Sequence, residues 1–69
     1  MELWVRTAAD YLHDREGLGC DWLYHTHKRA GDGSWLFCFR RQSRPGVPTD
    51  FEAFNVTEPE LRQLERVKV

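Results

Sequence analysis

Apolar positions recur along the first third of the chain at helical spacing. At 100° per residue Trp4, Val5, Ala8, Ala9, Tyr11 and Leu12 fall within one arc, while Arg6, Asp10, His13 and Asp14 fall opposite. The pattern predicts an amphipathic helix over residues 2–16, stopped by Gly17. A competing reading makes "LWV" a strand and starts the helix after Thr7, whose hydroxyl would cap it. The longer helix is preferred because it keeps Trp4 and Val5 on the stripe of Leu12.

From Cys20 the period changes to two. Aromatic and β-branched residues are enriched, and "AGDG" supplies the glycine and aspartate of a tight turn, so the chain from Cys20 to the irregular segment that follows reads as a β-hairpin. The prolines and glycine of "QSRPGVPTD" bar that segment from a ladder, and "FEAFNV" reads as a third strand. In "TEPELRQLERV", Thr57 and Glu60 have the spacing of a capping box, and Leu61, Leu64 and Val67 form a short apolar stripe. The expected fold is therefore α+β, a single domain over residues 1–69. Its order is helix, strand, strand, strand, helix, with both helices packed on one face of a three-stranded antiparallel sheet.

Either of two simple hairpin loops pairs odd positions on one strand with even positions on the other. Alternation then places Trp22, Tyr24, Thr26, Trp35, Phe37 and Phe39 on one face, and Leu23, His25, His27, Leu36, Cys38 and Arg40 on the other. The aromatic face is the larger apolar payload and the one two amphipathic helices need to cover. Reading it instead as a platform for stacking bases would leave the helices only Leu23, Leu36 and Cys38 to pack on. The mixed face is expected to be open.

Length and charge narrow the function. A chain of 69 residues builds one small core and has little material for a deep cleft, and no glycine-rich phosphate loop, nucleophile elbow or paired-cysteine motif is present, so the reading is non-enzymatic with no cofactor. The net charge of −1 gives no bulk attraction to polyanions, but Lys28, Arg29, Arg40, Arg41 and Arg44 stand against Asp32 alone, making a basic hairpin on an acidic body. His25, His27 and Cys38 are ligand types zinc favours, yet no residue is placed to complete a tetrahedron, and no metal site is assigned. No secretory leader, lipidation motif or membrane span is read, which suggests a cytoplasmic protein with free thiols and no membrane partner. Cys20 and Cys38 lie on opposite faces, too far apart for a disulfide.

The order of elements resembles the double-stranded RNA-binding domain, which implies basic residues at the start of the last helix. Glu58, Pro59 and Glu60 stand at the matching positions. Residues 22–64, with "GSWLFCFRR" and "TEPELRQL", are also similar to the three-stranded DNA-binding modules at the N-termini of some phage-type integrases. Those imply a basic third strand where "DFEAFNV" is acidic. The expectation drawn from the residues is a regulatory binding module, of inhibitor or adaptor type such as phages and mobile elements carry. It meets a protein partner through Lys28, Arg29, Arg40, Arg41, Arg44, His25 and His27. The alternative is nucleic-acid binding through the basic hairpin and the arginines of residues 40–44. An exposed sheet edge leaves open a monomer or a homodimer through that edge.

Overall fold

The computed structural model describes residues 2–41 and 44–67, the side chains of 65–67 excepted. Gln42 and Ser43 of the expected irregular segment, and the Val67 side chain of the expected stripe, lie outside the described residues. The elements follow the expected order: α1 (Leu3–Arg15), β1 (Trp22–Arg29), β2 (Trp35–Arg41), β3 (Asp50–Val56) and α2 (Glu58–Val67). The strands form one antiparallel sheet in the order β1-β2-β3, so β2 is central and the other two are edges.

The helical stripe of α1 supplies Val5, Ala8, Ala9 and Leu12 to the core, which meet Phe37 and Phe39 of β2 and Val56 of β3. Phe37, Leu12 and Val56 have no exposed surface and Phe39 only 1%. Full burial of side chains of this kind is worth about 1.5–3 kcal/mol each. Trp4, Tyr11, Trp22, Tyr24, Trp35, Phe54 and Leu61 pack partly buried around this centre.

The ends of α1 and α2 are set by local chemistry. At the C-terminus of α1, Gly17 adopts φ 65°. That turn brings the Leu18 N–H to the His13 carbonyl at 3.0 Å and the Gly17 N–H to the Asp14 carbonyl at 3.1 Å, the paired bonds of a Schellman motif. Leu18 then packs on the core. At the start of α2 the capping box forms: the Glu60 N–H donates to Thr57 Oγ1 at 3.3 Å and the Thr57 N–H donates to Glu60 Oε1 at 3.2 Å. The other Glu60 oxygen accepts from the Tyr11 hydroxyl and from Arg15, each at 2.8 Å, and so ties α2 to α1.

The hairpin differs from the expected pairing in two places that compensate. Its loop is Gly31, Asp32 and Gly33, with Gly33 at φ 89°. The Ala30 carbonyl accepts from the Gly33 N–H at 3.1 Å, and the Ala30 N–H donates to the Ser34 carbonyl at 2.9 Å, a turn followed by a glycine bulge. Asp32 accepts from the Ser34 N–H and hydroxyl, and these bonds hold its carboxyl below the usual range. The loop pairs odd positions with odd: Arg29 with Trp35 and His27 with Phe37. A second bulge, between Tyr24 and Thr26, restores the expected odd-even pairing, Tyr24 with Phe39 and Trp22 with Arg41.

The consequence is a correction to the facing of β1. His27 lies on the helix-covered face and Thr26 on the open one, the reverse of simple alternation. Trp22, Tyr24, Trp35, Phe37 and Phe39 stand where alternation puts them, because they precede the bulge or belong to β2.

Candidate functional site

With both helices on the aromatic face, the opposite face of the sheet is uncovered. Its residues form rows fixed by the two registers: Leu23, Arg40 and Phe51 in one, Thr26, Cys38 and Ala53 in the next, Lys28, Leu36 and Asn55 in the third. Leu23 and Phe51 are each 55% exposed, and Arg40 lies exposed between them. Leu36 and Cys38 are half-buried in the centre of the face. His25, the extra residue of the bulge, sends its ring across β2 to within 5.3 Å of the Phe51 ring. The face is thus an apolar strip interrupted by cations.

The acids of the strands go elsewhere. Asp50 pairs with Arg41 and Glu52 with Phe39, which puts both carboxylates on the helix side of β3. No carboxylate stands in any of the three rows.

The seven residues expected to meet a partner divide into two groups. His25, Lys28 and Arg40 stand on the open face, exposed. Arg44 is also exposed, in a turn closed by the Val47 N–H donating to its carbonyl. Lys28, Arg40 and Arg44 form no ion pair with the described residues. Arg29, Arg41 and His27 are engaged within the fold. Arg29 lies over the Trp35 ring at 5.0 Å and pairs with Glu58 of α2 at 2.8 Å. Arg41 lies over Trp22 at 4.9 Å and pairs with Asp50 at 2.6 Å.

His27 is held by rings. It stacks on Phe37 with centroids 5.3 Å apart and planes 20° from parallel, and meets Trp4 edge-on at 5.5 Å. Its Nδ1 lies 2.6 Å from the Tyr24 hydroxyl, which burial pushes above the usual tyrosine pKa. The bulge therefore separates His25 from His27, which do not project to one side of β1. Among the described residues no group of three or more His, Cys, Asp or Glu side chains is gathered as metal ligands would be, and Cys20 and Cys38 are free thiols.

Alternation within β1 and β2 alone missed Phe51. The signal was present in "DFEAFNV": once Phe54 and Val56 are taken as the buried residues, Phe51, Ala53 and Asn55 fall to the other face. Concavity lies on the helix side, where a cleft of about 640 Å³ between the two helices and the hairpin tip is lined by Trp4, Trp35, Leu61 and Leu64, with the Arg29–Glu58 pair in its wall.

No protein-family model matches the chain, and comparison with curated proteins and with solved structures returned no match. Among the described residues no helix is long and apolar enough to cross a membrane.

Proposed function

We propose that the chain is a non-enzymatic binding module of inhibitor or adaptor type, acting by stoichiometric contact of its open sheet face with a protein partner. The observation that carries this reading is the row Leu23, Arg40, Phe51: two large apolar side chains, each 55% exposed, flank a cation that no described residue neutralises. An arginine among apolar side chains is the composition of an interface centre, whereas a scattered exposed leucine alone would mean little. Lys28 and His25 add positive or polar character at the margins. A partner that fits offers carboxylates around an apolar contact.

The test is capture from a lysate of the native host, with nuclease treatment, by the chain and by its Leu23→Asp, Phe51→Asp double variant. Retention of one protein species in equimolar amount by the chain, and its loss with the variant, supports the reading. Binding of DNA or RNA that falls steeply with salt, with no protein retained, sinks it.

One observation favours a second reading, contact with single-stranded nucleic acid. The exposed His25 and Phe51 rings stand 5.3 Å apart on a face that also carries Lys28 and Arg40, a surface on which a base could stack while the cations meet phosphates. The internal pairing of Arg29 and Arg41 weighs against it, because it leaves fewer cations for phosphates. An oligonucleotide titration at low salt with Arg40→Glu decides between the two: no binding by the unmodified chain disposes of the nucleic-acid reading.

A further inference from the structure

α2 is amphipathic but not sealed against the body. Its apolar side chains Leu61 and Leu64 are only half-buried, and no residue of α2 whose side chain is described is fully buried. At the start of α1, Leu3 is 71% exposed, more than any other large apolar side chain among the described residues. These three, with Trp4 and Trp35, line the cleft of about 640 Å³ between the helices and the hairpin tip. A small domain gains by closing such a gap, yet here five apolar side chains border space that no described side chain fills.

The charge of the cleft is not balanced. Arg29 and Glu58 lie 2.8 Å apart and neutralise each other. Arg62, the remaining charged residue of the lining, is exposed and forms no ion pair with the described residues. Its guanidinium is a planar fork of donors that matches a carboxylate.

The aromatic wall has a shape. The Trp4 and Trp35 rings have centroids 5.0 Å apart and planes 59° from parallel. A flat ring resting on one indole therefore meets the other at an angle, near the edge-to-face contact that aromatic rings favour. The Trp4 Nε1–H already donates to Glu2 at 2.6 Å, so Trp4 offers a ligand ring surface and no free donor.

We infer that this cleft is a small-molecule site whose ligand is a planar aromatic carboxylate. The ring lies against Trp4 and Trp35 among the leucines, and the carboxylate meets Arg62. The volume falls in the range of about 300–1,000 Å³ that holds such ligands. A neutral ligand would leave the Arg62 charge without a counter-charge, and a cationic one would set a like charge beside it. The cleft lies on the helix side of the sheet, so this inference goes beyond the contact proposed for the open face and stands whatever meets that face.

Heteronuclear NMR of the chain titrated with naphthoate tests it, with the neutral naphthamide and the cationic naphthylmethylammonium as comparison ligands. The three tryptophans give three indole N–H signals, and Trp22, which lies under Arg41 and outside the cleft, is the internal control. Naphthoate should shift the Trp4 and Trp35 signals saturably and leave Trp22 in place, binding more tightly than the amide and the amide more tightly than the ammonium. Arg62→Gln should weaken naphthoate about tenfold and leave the affinity for naphthamide as it was. If that variant fails to fold, Leu3→Glu, at an exposed position of the lining, should weaken naphthoate more than naphthamide. Absence of a saturable shift at Trp4 and Trp35 overturns the inference, as does a shift of Trp22 equal to theirs. Equal affinity for naphthoate and naphthamide, or naphthoate binding to a folded Arg62→Gln at unmodified strength, overturns it too.

Discussion

The two faces of the sheet are made by alternate residues of the same strands, yet they differ in what happens to apolar surface and to charge. On the helix-covered face Phe37 and Phe39 are sealed, and the cations have partners: Arg29 with Glu58, Arg41 with Asp50, Arg15 with Glu60. On the open face Leu23 and Phe51 remain 55% exposed, and Lys28 and Arg40 have no carboxylate among the described residues. A small domain has little apolar material to spare, so surface left uncovered costs stability that the fold needs. The contrast assigns stability to one set of positions and, on the function proposed above, leaves the other set for contact.

Truncation of one phenylalanine on each face puts the largest strain on that contrast. Phe37→Ala leaves a cavity under α1 and should cost about 3–5 kcal/mol, enough to unfold much of a domain of this size at ordinary temperature. Phe51→Ala loses only cross-strand contact and should cost under about 1 kcal/mol. Urea denaturation of both variants measures the pair. Similar losses would mean that the open face is part of the core, and the division of labour would fail.

How far this division was legible in the residues depended on the turn. The element order, the stripe of α1, the capping box and the buried aromatic set of β2 all follow from spacing, because each is local to one element or to its ends. Which face His27 and Thr26 occupy does not. It depends on whether Gly33 takes a positive φ and on where β1 absorbs the resulting offset, and both are decided by packing of the whole hairpin. A helix-side His27 gains Trp4, Phe37 and the Tyr24 hydroxyl, partners that alternation along one strand cannot see. For the same reason the basic residues could be counted but not sorted: Arg29 and Arg41 are held by Glu58 and Asp50, residues far along the chain or on another strand.

Thr57→Ala probes the covered side at its edge rather than its centre. Thr57 Oγ1 accepts the Glu60 N–H and also donates to Glu60 Oε1 at 3.1 Å, so its removal takes a helix cap and loosens the carboxylate that receives Tyr11 and Arg15. A loss of about 1 kcal/mol is expected, within the range seen for such caps. Arg40→Gln, its counterpart on the open face, should leave the urea midpoint within experimental error, since Arg40 pairs with no described carboxylate. A larger loss from Arg40→Gln than from Thr57→Ala would show that the open face contributes to folding through its cation.

The smallest effect separates the faces by acid. Burial pushes the Glu60 carboxyl up, but hydrogen bonds from Tyr11 and Thr57 and the charge of Arg15 outweigh it and hold the group below its ordinary value. A carboxyl whose pKa is lower folded than unfolded stabilises the native state fully above the unfolded value. That contribution fades as pH falls through the carboxylate range towards the folded value. The residue keeps about a third of its side chain in water, 31%, so solvent screens the interaction and the contribution is modest. Glu60→Gln should therefore flatten the fall in stability between neutral and acid pH, whereas Arg40→Gln should leave that slope as it is, because no carboxylate shares the three rows of the open face. Thermal denaturation of both variants and the unmodified chain, scanned from neutral pH into the carboxylate range, reads the difference. If Glu60→Gln keeps the original slope, the tie between α1 and α2 draws nothing from the ionised carboxylate.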